Sequence, residues 1–168
     1  MIDFIIVGLP RSGTTWAANW LTTDKTHCYH DPLYTTHYED WDAKAIPGKL
    51  TGVSCTGIWR WKEWLNAHPA KKIILHRDKG EINKSLRQIG LPELMEEDTL
   101  TDIIGMHVDF NDLFDPERAG AIWEYITGEP MNPHRHEELR LIEMQPQFTG
   151  LSVGADVTRR LRAELSSI

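Results

Sequence analysis

Gly8 and Gly13 enclose Arg11 and Ser12 and are followed at once by Thr14 and Thr15. These residue types in this order suit one kind of chemistry, the grip of an anion. A helix start presents backbone N–H groups without intrahelical partners, together with the positive end of the helix dipole. Glycines, lacking a Cβ, let the backbone turn sharply and approach a bound oxygen closely. The hydroxyls of Ser12, Thr14 and Thr15 add donors, and the Arg11 guanidinium can hold two oxygens of a phosphate or sulfate through parallel hydrogen bonds.

The elements that must position this set lie on either side of it. Phe4-Ile5-Ile6-Val7 is an uninterrupted apolar run, expected of a buried strand, and Trp16, Trp20 and Leu21 recur at helical spacing, which predicts a helix over residues 14–21. Gly8 and Gly13 have the G-x-x-x-x-G spacing of a nucleoside-triphosphatase loop, but Thr-Thr stands where that loop has Lys followed by Ser or Thr. Arg11 supplies the missing charge from inside the loop. Asp78, after a later strand, is discounted as a metal-binding acid because it has no loop lysine to work with.

A second pair points to the same kind of ligand. KKIILHRD, residues 71–78, is expected to form a fully buried parallel strand with Arg77 at its exit, and the helix expected over 80–89 carries Ser85. Both can face the crevice at the carboxyl ends of the strands, where open α/β sheets bind ligands, and there a guanidinium and a hydroxyl can share one phosphate.

PRSGTTW behind a hydrophobic strand closely resembles the 5′-phosphosulfate loop of sulfotransferases, which use 3′-phosphoadenosine 5′-phosphosulfate (PAPS). Arg11 is similar to the arginine of the tyrosylprotein branch, where cytosolic members usually have lysine. HRDKGEINKS resembles the family's 3′-phosphate motif, a strand ending in Arg and a helical Ser eight residues later. HVDFNDLFDPERAGAIWEYITGEPMN is similar in layout to the family's strand, Asp-Leu, Pro-led helix and Gly-x-Pro. Residues 34–70 and the tail from Met144 match nothing in the family. The chain is also shorter than most members and has no late Arg-Lys-Gly motif, so the acceptor pocket is expected to be minimal, supplied by a partner, or lost.

The resemblance implies a PAPS-dependent transfer of a sulfuryl group to a hydroxyl or amine, with 3′,5′-adenosine bisphosphate as product and no metal. Carried over residue by residue, it assigns cofactor binding to Arg11, Ser12, Gly13, Thr14, Thr15, Arg77 and Ser85, and adenine stacking to Trp16, which reads equally well as a core residue of the first helix. Arg11 would neutralise charge growing on the leaving phosphate. For the base, Asp31 is the first candidate, His30 the second and His37 the third. Imidazole titrates near neutral pH, whereas a carboxylate needs a raised pKa or close positioning. Pro32 is expected to push Asp31 into extended backbone at a strand exit. Trp41, Trp59, Trp61 and Trp64, with Tyr34, could line an aromatic acceptor cleft or simply pack into the core. Two further readings stay open, a non-catalytic nucleotide-binding or assembly protein of the same fold and, disfavoured by Thr-Thr, a P-loop nucleotide kinase.

The chain as a whole sets the limits. At 168 residues and 40% hydrophobic it reads as one domain, 1–168, able to bury a single core. A net charge of −7 argues against nucleic-acid or acidic-membrane partners, so an anionic cosubstrate must be held by local positive groups. The start Met-Ile-Asp leaves no room for a signal peptide and no apolar run approaches a membrane span, so a soluble cytoplasmic protein is expected. Cys28 and Cys55 read as core thiols, and the histidines form no spaced zinc motif. His134-Arg135-His136 reads as a polar helix start. Further strands are expected at 27–29, 51–56 and 106–110, and helices at 58–67, 116–127 and 133–144, with 94–104 a mixed, partly helical segment. The polar, aromatic stretch 34–49 reads as a long loop, a candidate lid or acceptor-binding loop. Alternating strands and helices predict an α/β three-layer fold with a central parallel sheet, of the P-loop-nucleotide-hydrolase-like sulfotransferase type.

Overall fold

The computed structural model describes residues 1–95, 99–142, 159–160 and 163–164. Five strands, β1 (Phe4–Gly8), β2 (Thr26–His30), β3 (Leu50–Cys55), β4 (Lys71–His76) and β5 (Met106–Asp109), form one all-parallel sheet in the order β2-β3-β1-β4-β5. All five residues of β1 are buried, as its apolar run requires of a central strand. Its register aligns Val7 with Cys55 on one side and with Ile74 on the other.

Because side chains alternate along a strand, β1 divides between two faces. Phe4 and Ile6, with Ile73 and Leu75, pack against helices α1 (Thr14–Trp20) and α4 (Pro116–Thr127) through Trp16, Trp20, Ile122 and Trp123. Ile5, Val7, Val53 and Ile74 face Leu65 of α2 (Lys62–Ala67) and Ile82 and Leu86 of α3 (Lys79–Gln88). Helices thus cover both faces, the α/β arrangement expected from the alternation of elements. Helix α5 (Pro133–Arg140) adds Leu139 to the first face.

The helix boundaries follow from their caps. Asp78 accepts from Glu81 N at 3.0 Å and starts α3, which is the role of this carboxylate here. Asp115 caps α4 ahead of Pro116, and Gly128 ends it at φ 73. Asn132 caps α5 ahead of Pro133.

Several expectations are corrected. The helix expected over 58–67 is a 3-10 turn, Ile58–Arg60, followed by α2, because Trp61 between them has non-helical backbone at φ −107, ψ 56. Stretch 34–49 is no open lid: it contains a 3-10 turn, Tyr38–Lys44, whose Tyr38 and Trp41 are buried in the core below the sheet. The described residues of 94–104 contain no helix; Leu100 and Ile103 instead drop into the core from turns. The last expected helix ends at Arg140, and residues 143–144 lie outside the described residues. Among the described residues no helix is long and apolar enough to cross a membrane.

Candidate functional site

The chain leaves β1 outward to β2, returns through β3 and then crosses β1 to reach β4, so the winding reverses at β1. In a doubly wound sheet that reversal opens a crevice at the carboxyl ends of the strands. Arg11 and Ser12 after β1, Asp31 after β2 and Arg77 after β4, singled out by type, lie there, joined by Thr56 after β3 and Phe110 after β5.

The two basic motifs, far apart in the chain, meet at this edge. Arg11 Nε donates to Ser85 Oγ at 2.9 Å across 74 positions. Arg77 Nη1 donates to the carbonyl oxygen of Arg11 at 2.6 Å. Arg77 is steadied from two further sides, by Glu81 Oε2 at 3.2 Å and by the Phe110 ring 4.2 Å from its guanidinium carbon. Partial burial, and secondarily the neighbouring Arg77 charge, hold the Arg11 guanidinium below its ordinary value.

The loop backbone matches the need for a close turn. Arg11 has φ 68 and Gly13 φ 87, and no side chain caps α1 at Gly13. A non-glycine residue at positive φ stores about 1–3 kcal/mol, and here the Arg11 carbonyl is held in place by Arg77. Ser12 is fully buried, and its Oγ has no hydrogen-bond partner among the described residues. A buried hydroxyl left without a partner is a donor site waiting for an acceptor. Thr14 is buried, with its carbonyl accepting from Ser54 Oγ at 2.9 Å, which ties the start of α1 to β3.

On the other side of the loop, Thr15 Oγ1 lies 3.1 Å from His30 Nε2, and the same nitrogen lies 3.2 Å from Asp31 Oδ2. Asp31 itself is not in the extended backbone expected ahead of Pro32. It sits at φ 43, ψ 52, a left-handed conformation that aspartate tolerates better than most residues. The reason is its anchorage: its N–H donates to Ser54 O at 2.8 Å, and its Oδ1 accepts from Thr56 N at 2.7 Å and Thr56 Oγ1 at 3.0 Å. Two donors on one oxygen make this carboxylate a holder of β2 against β3. Burial first, and the Asp31 charge after it, push the Tyr34 hydroxyl up, so Tyr34 stays protonated.

Six expected residues are not brought to the site. Trp16 is buried, packed against Trp20, Phe114 and the edge of His136, with its Nε1–H donated to Leu139 O at 3.2 Å, so it serves as core and has no face open to an adenine. His37 is buried between Glu164 and Arg160. Trp41 and Trp59 are buried too, and Trp61 and Trp64 pack on the same core, which accounts for the aromatic run as packing. Conversely, sequence reasoning gave no role to Phe110, Thr56 or Glu164. Phe110 sits directly after β5 within the stretch matched to the family, which was the available signal; Thr56 and Glu164 gave none. His136, read as part of a polar helix start, lies in the first turns of α5 and is buried and bonded to Leu113 O at 2.8 Å.

No protein-family model and no curated protein matches this chain.

Proposed function

We propose that the chain is a PAPS-dependent sulfotransferase that moves a sulfuryl group to a hydroxyl or amine acceptor. The observation that carries this reading is the meeting of Arg11, Arg77 and Ser85 around a left-handed loop at the reversal point of the sheet. Two guanidiniums this close repel one another, and a ligand that brings an anionic group to each relieves that repulsion. The donor set suits a nucleotide with phosphate groups at both ends. Arg11, Ser12 and the start of α1 take the 5′ end, and Arg77 with Ser85 the 3′-phosphate.

PAPS supplies the sulfuryl group and the phosphate that leaves it. The protein's part is position and charge. Arg11 concentrates positive charge where the leaving oxygen gains negative charge, and Ser12 Oγ adds a buried donor. For proton removal from the acceptor, the geometry favours His30 over Asp31. His30 Nε2 lies 3.1 Å from Thr15 Oγ1 and 3.2 Å from Asp31 Oδ2, and Nδ1, which no described residue hydrogen-bonds, is the proton acceptor in the tautomer that carries its hydrogen on Nε2. Asp31, already accepting from Thr56, positions that ring.

Calorimetric titration with 3′,5′-adenosine bisphosphate, against ATP-Mg²⁺ and 5′-AMP, tests the reading on the wild type and Arg77→Ala. The expected result is binding of the bisphosphate alone, weakened by about 1.5–3 kcal/mol in the variant, the range for a charge-assisted hydrogen bond. Preference for ATP-Mg²⁺, or no binding, overturns it.

A further inference from the structure

Away from the phosphate site, three side-chain donors converge on one carboxylate. Glu164 Oε1 lies 2.8 Å from His37 Nε2, and its Oε2 accepts from Tyr38 Oη at 3.0 Å and from Trp61 Nε1 at 2.7 Å. His37 and Tyr38 are both buried. The three rings are adjacent, with His37 4.3 Å and Trp61 5.3 Å from Tyr38 between centroids.

The tautomer of His37 follows from its neighbours. Arg160 Nη2, which can only donate, lies 3.0 Å from His37 Nδ1, so Nδ1 accepts and Nε2–H is donated to Glu164. Arg160 also pairs with Asp40 Oδ2 at 2.7 Å and Glu39 Oε2 at 3.3 Å. Arg160 and Glu164, both in helical backbone, bracket a single imidazole from its two nitrogens. Two buried rings and the partly buried Trp61, offering N–H, O–H and N–H toward one point, are matched to a carboxylate, since each donor needs an acceptor and a carboxylate offers several without bringing a donor of its own.

We propose that His37, Tyr38 and Trp61 form a carboxylate-binding pocket whose resident ligand is Glu164, so that Glu164, with Arg160, straps the connection from Asp31 to Lys44. That connection is held at its ends by Thr56 N donating to Asp31 Oδ1 at 2.7 Å and Ile2 N donating to Asp42 Oδ1 at 2.9 Å, and between them by local bonds such as Thr36 N to Pro32 O at 2.8 Å and Trp41 Nε1 to Thr36 O at 3.2 Å. The proposal goes beyond the sulfotransferase reading and does not depend on it.

The test is hydrogen–deuterium exchange on the full chain, with no nucleotide present. In Glu164→Ala, amides of residues 36–42 exchange at least about tenfold faster, the loss of a charge-assisted hydrogen bond or more, while those of β1 and β4 are unchanged. Sodium acetate restores the protection in that variant and sodium chloride at equal ionic strength does not. Glu164→Gln, which keeps one acceptor oxygen, gives an intermediate rate and supplies the same reading should the alanine variant not fold. Unchanged exchange at 36–42 in both variants, or equal rescue by chloride, overturns the proposal.

Discussion

Arg77 donates from Nη1 to the backbone oxygen of Arg11 at 2.6 Å, so the guanidinium at the exit of one strand holds the loop at the exit of another in its left-handed turn. One side chain thereby serves as both a phosphate ligand in the proposed reaction and a brace for the loop that carries the other ligand.

Lysine cannot do both. In Arg77→Lys the charge stays, but the Nη1 bond to Arg11 O and the stacking on Phe110 are lost. Bisphosphate affinity is expected to fall about as far as in Arg77→Ala, by roughly 1.5–3 kcal/mol, rather than being rescued by the retained charge. Calorimetry on the two variants side by side decides this, and near-wild-type binding by the lysine variant would show that charge alone matters.

Ser12→Ala should separate ligand binding from stability. The Oγ is buried without a partner among the described residues, so removing it leaves no bond broken and lifts a desolvation cost of about 1–3 kcal/mol. The apoprotein is expected to be as stable as the wild type or more so in urea denaturation, while bisphosphate binding weakens. A clear loss of stability would mean that the hydroxyl already has an acceptor.

Gly13 and Gly52 are constrained for different reasons. At Gly13, φ is 87 and a Cβ would come within 3.0 Å of Leu113 and Phe110. Gly13→Ala should cost about 1–3 kcal/mol of stability and distort the loop. At Gly52 a Cβ would enter the ring of Phe4 across the β1–β3 pair, so Gly52→Ala should cost at least as much without bearing on the ligand directly. Thermal melts should show both losses.

Acid should weaken the fold. Burial holds His27, His68 and His76 below the ordinary imidazole range; Lys49 adds to this at His27 and His107 at His76, while Asp42 opposes it at His68. The unfolded chain then binds protons first as pH falls through about 6.5, so stability is complete above that value and declines as pH drops toward the folded-state values. The His76 ring donates or accepts at 2.7 Å with His107, whose Nε2 donates to Ile103 O at 2.9 Å. With that carbonyl as acceptor, Nδ1 of neutral His107 accepts from His76 Nε2–H. Urea midpoints measured on either side of about pH 6.5 should differ in this sense, and His76→Asn should reduce the difference.

His30 and Asp31 should part in kinetics. His30→Ala is expected to lower kcat by about 10²–10⁴-fold with bisphosphate affinity intact, the usual loss for a proton-transfer residue. Asp31→Ala should instead cost about 1–3 kcal/mol of stability, because Thr56 loses its acceptor and alanine is strained at φ 43. Equal kcat in the wild type and His30→Ala would remove His30 from the reaction.

Much of this was legible in the chain itself, and for a physical reason: it concerned near neighbours. The buried run Phe4–Val7, the glycines around Arg11, the caps at Asp115 and Asn132 and the stop at Gly128 each act within a few residues, so strand, loop and helix ends could be read from residue type. The alternation of those elements carried the parallel sheet with it. What only the tertiary structure decided depends on groups distant in sequence. It brought Arg11 to Ser85 and Arg77, seated Asp31 in a left-handed turn because Ser54 and Thr56 hold it, closed Trp16 into the core beneath Leu139, and set Glu164 against His37. Local propensity, such as the effect of Pro32 on Asp31, is worth about 1 kcal/mol, and a few well-made bonds from another strand outweigh it.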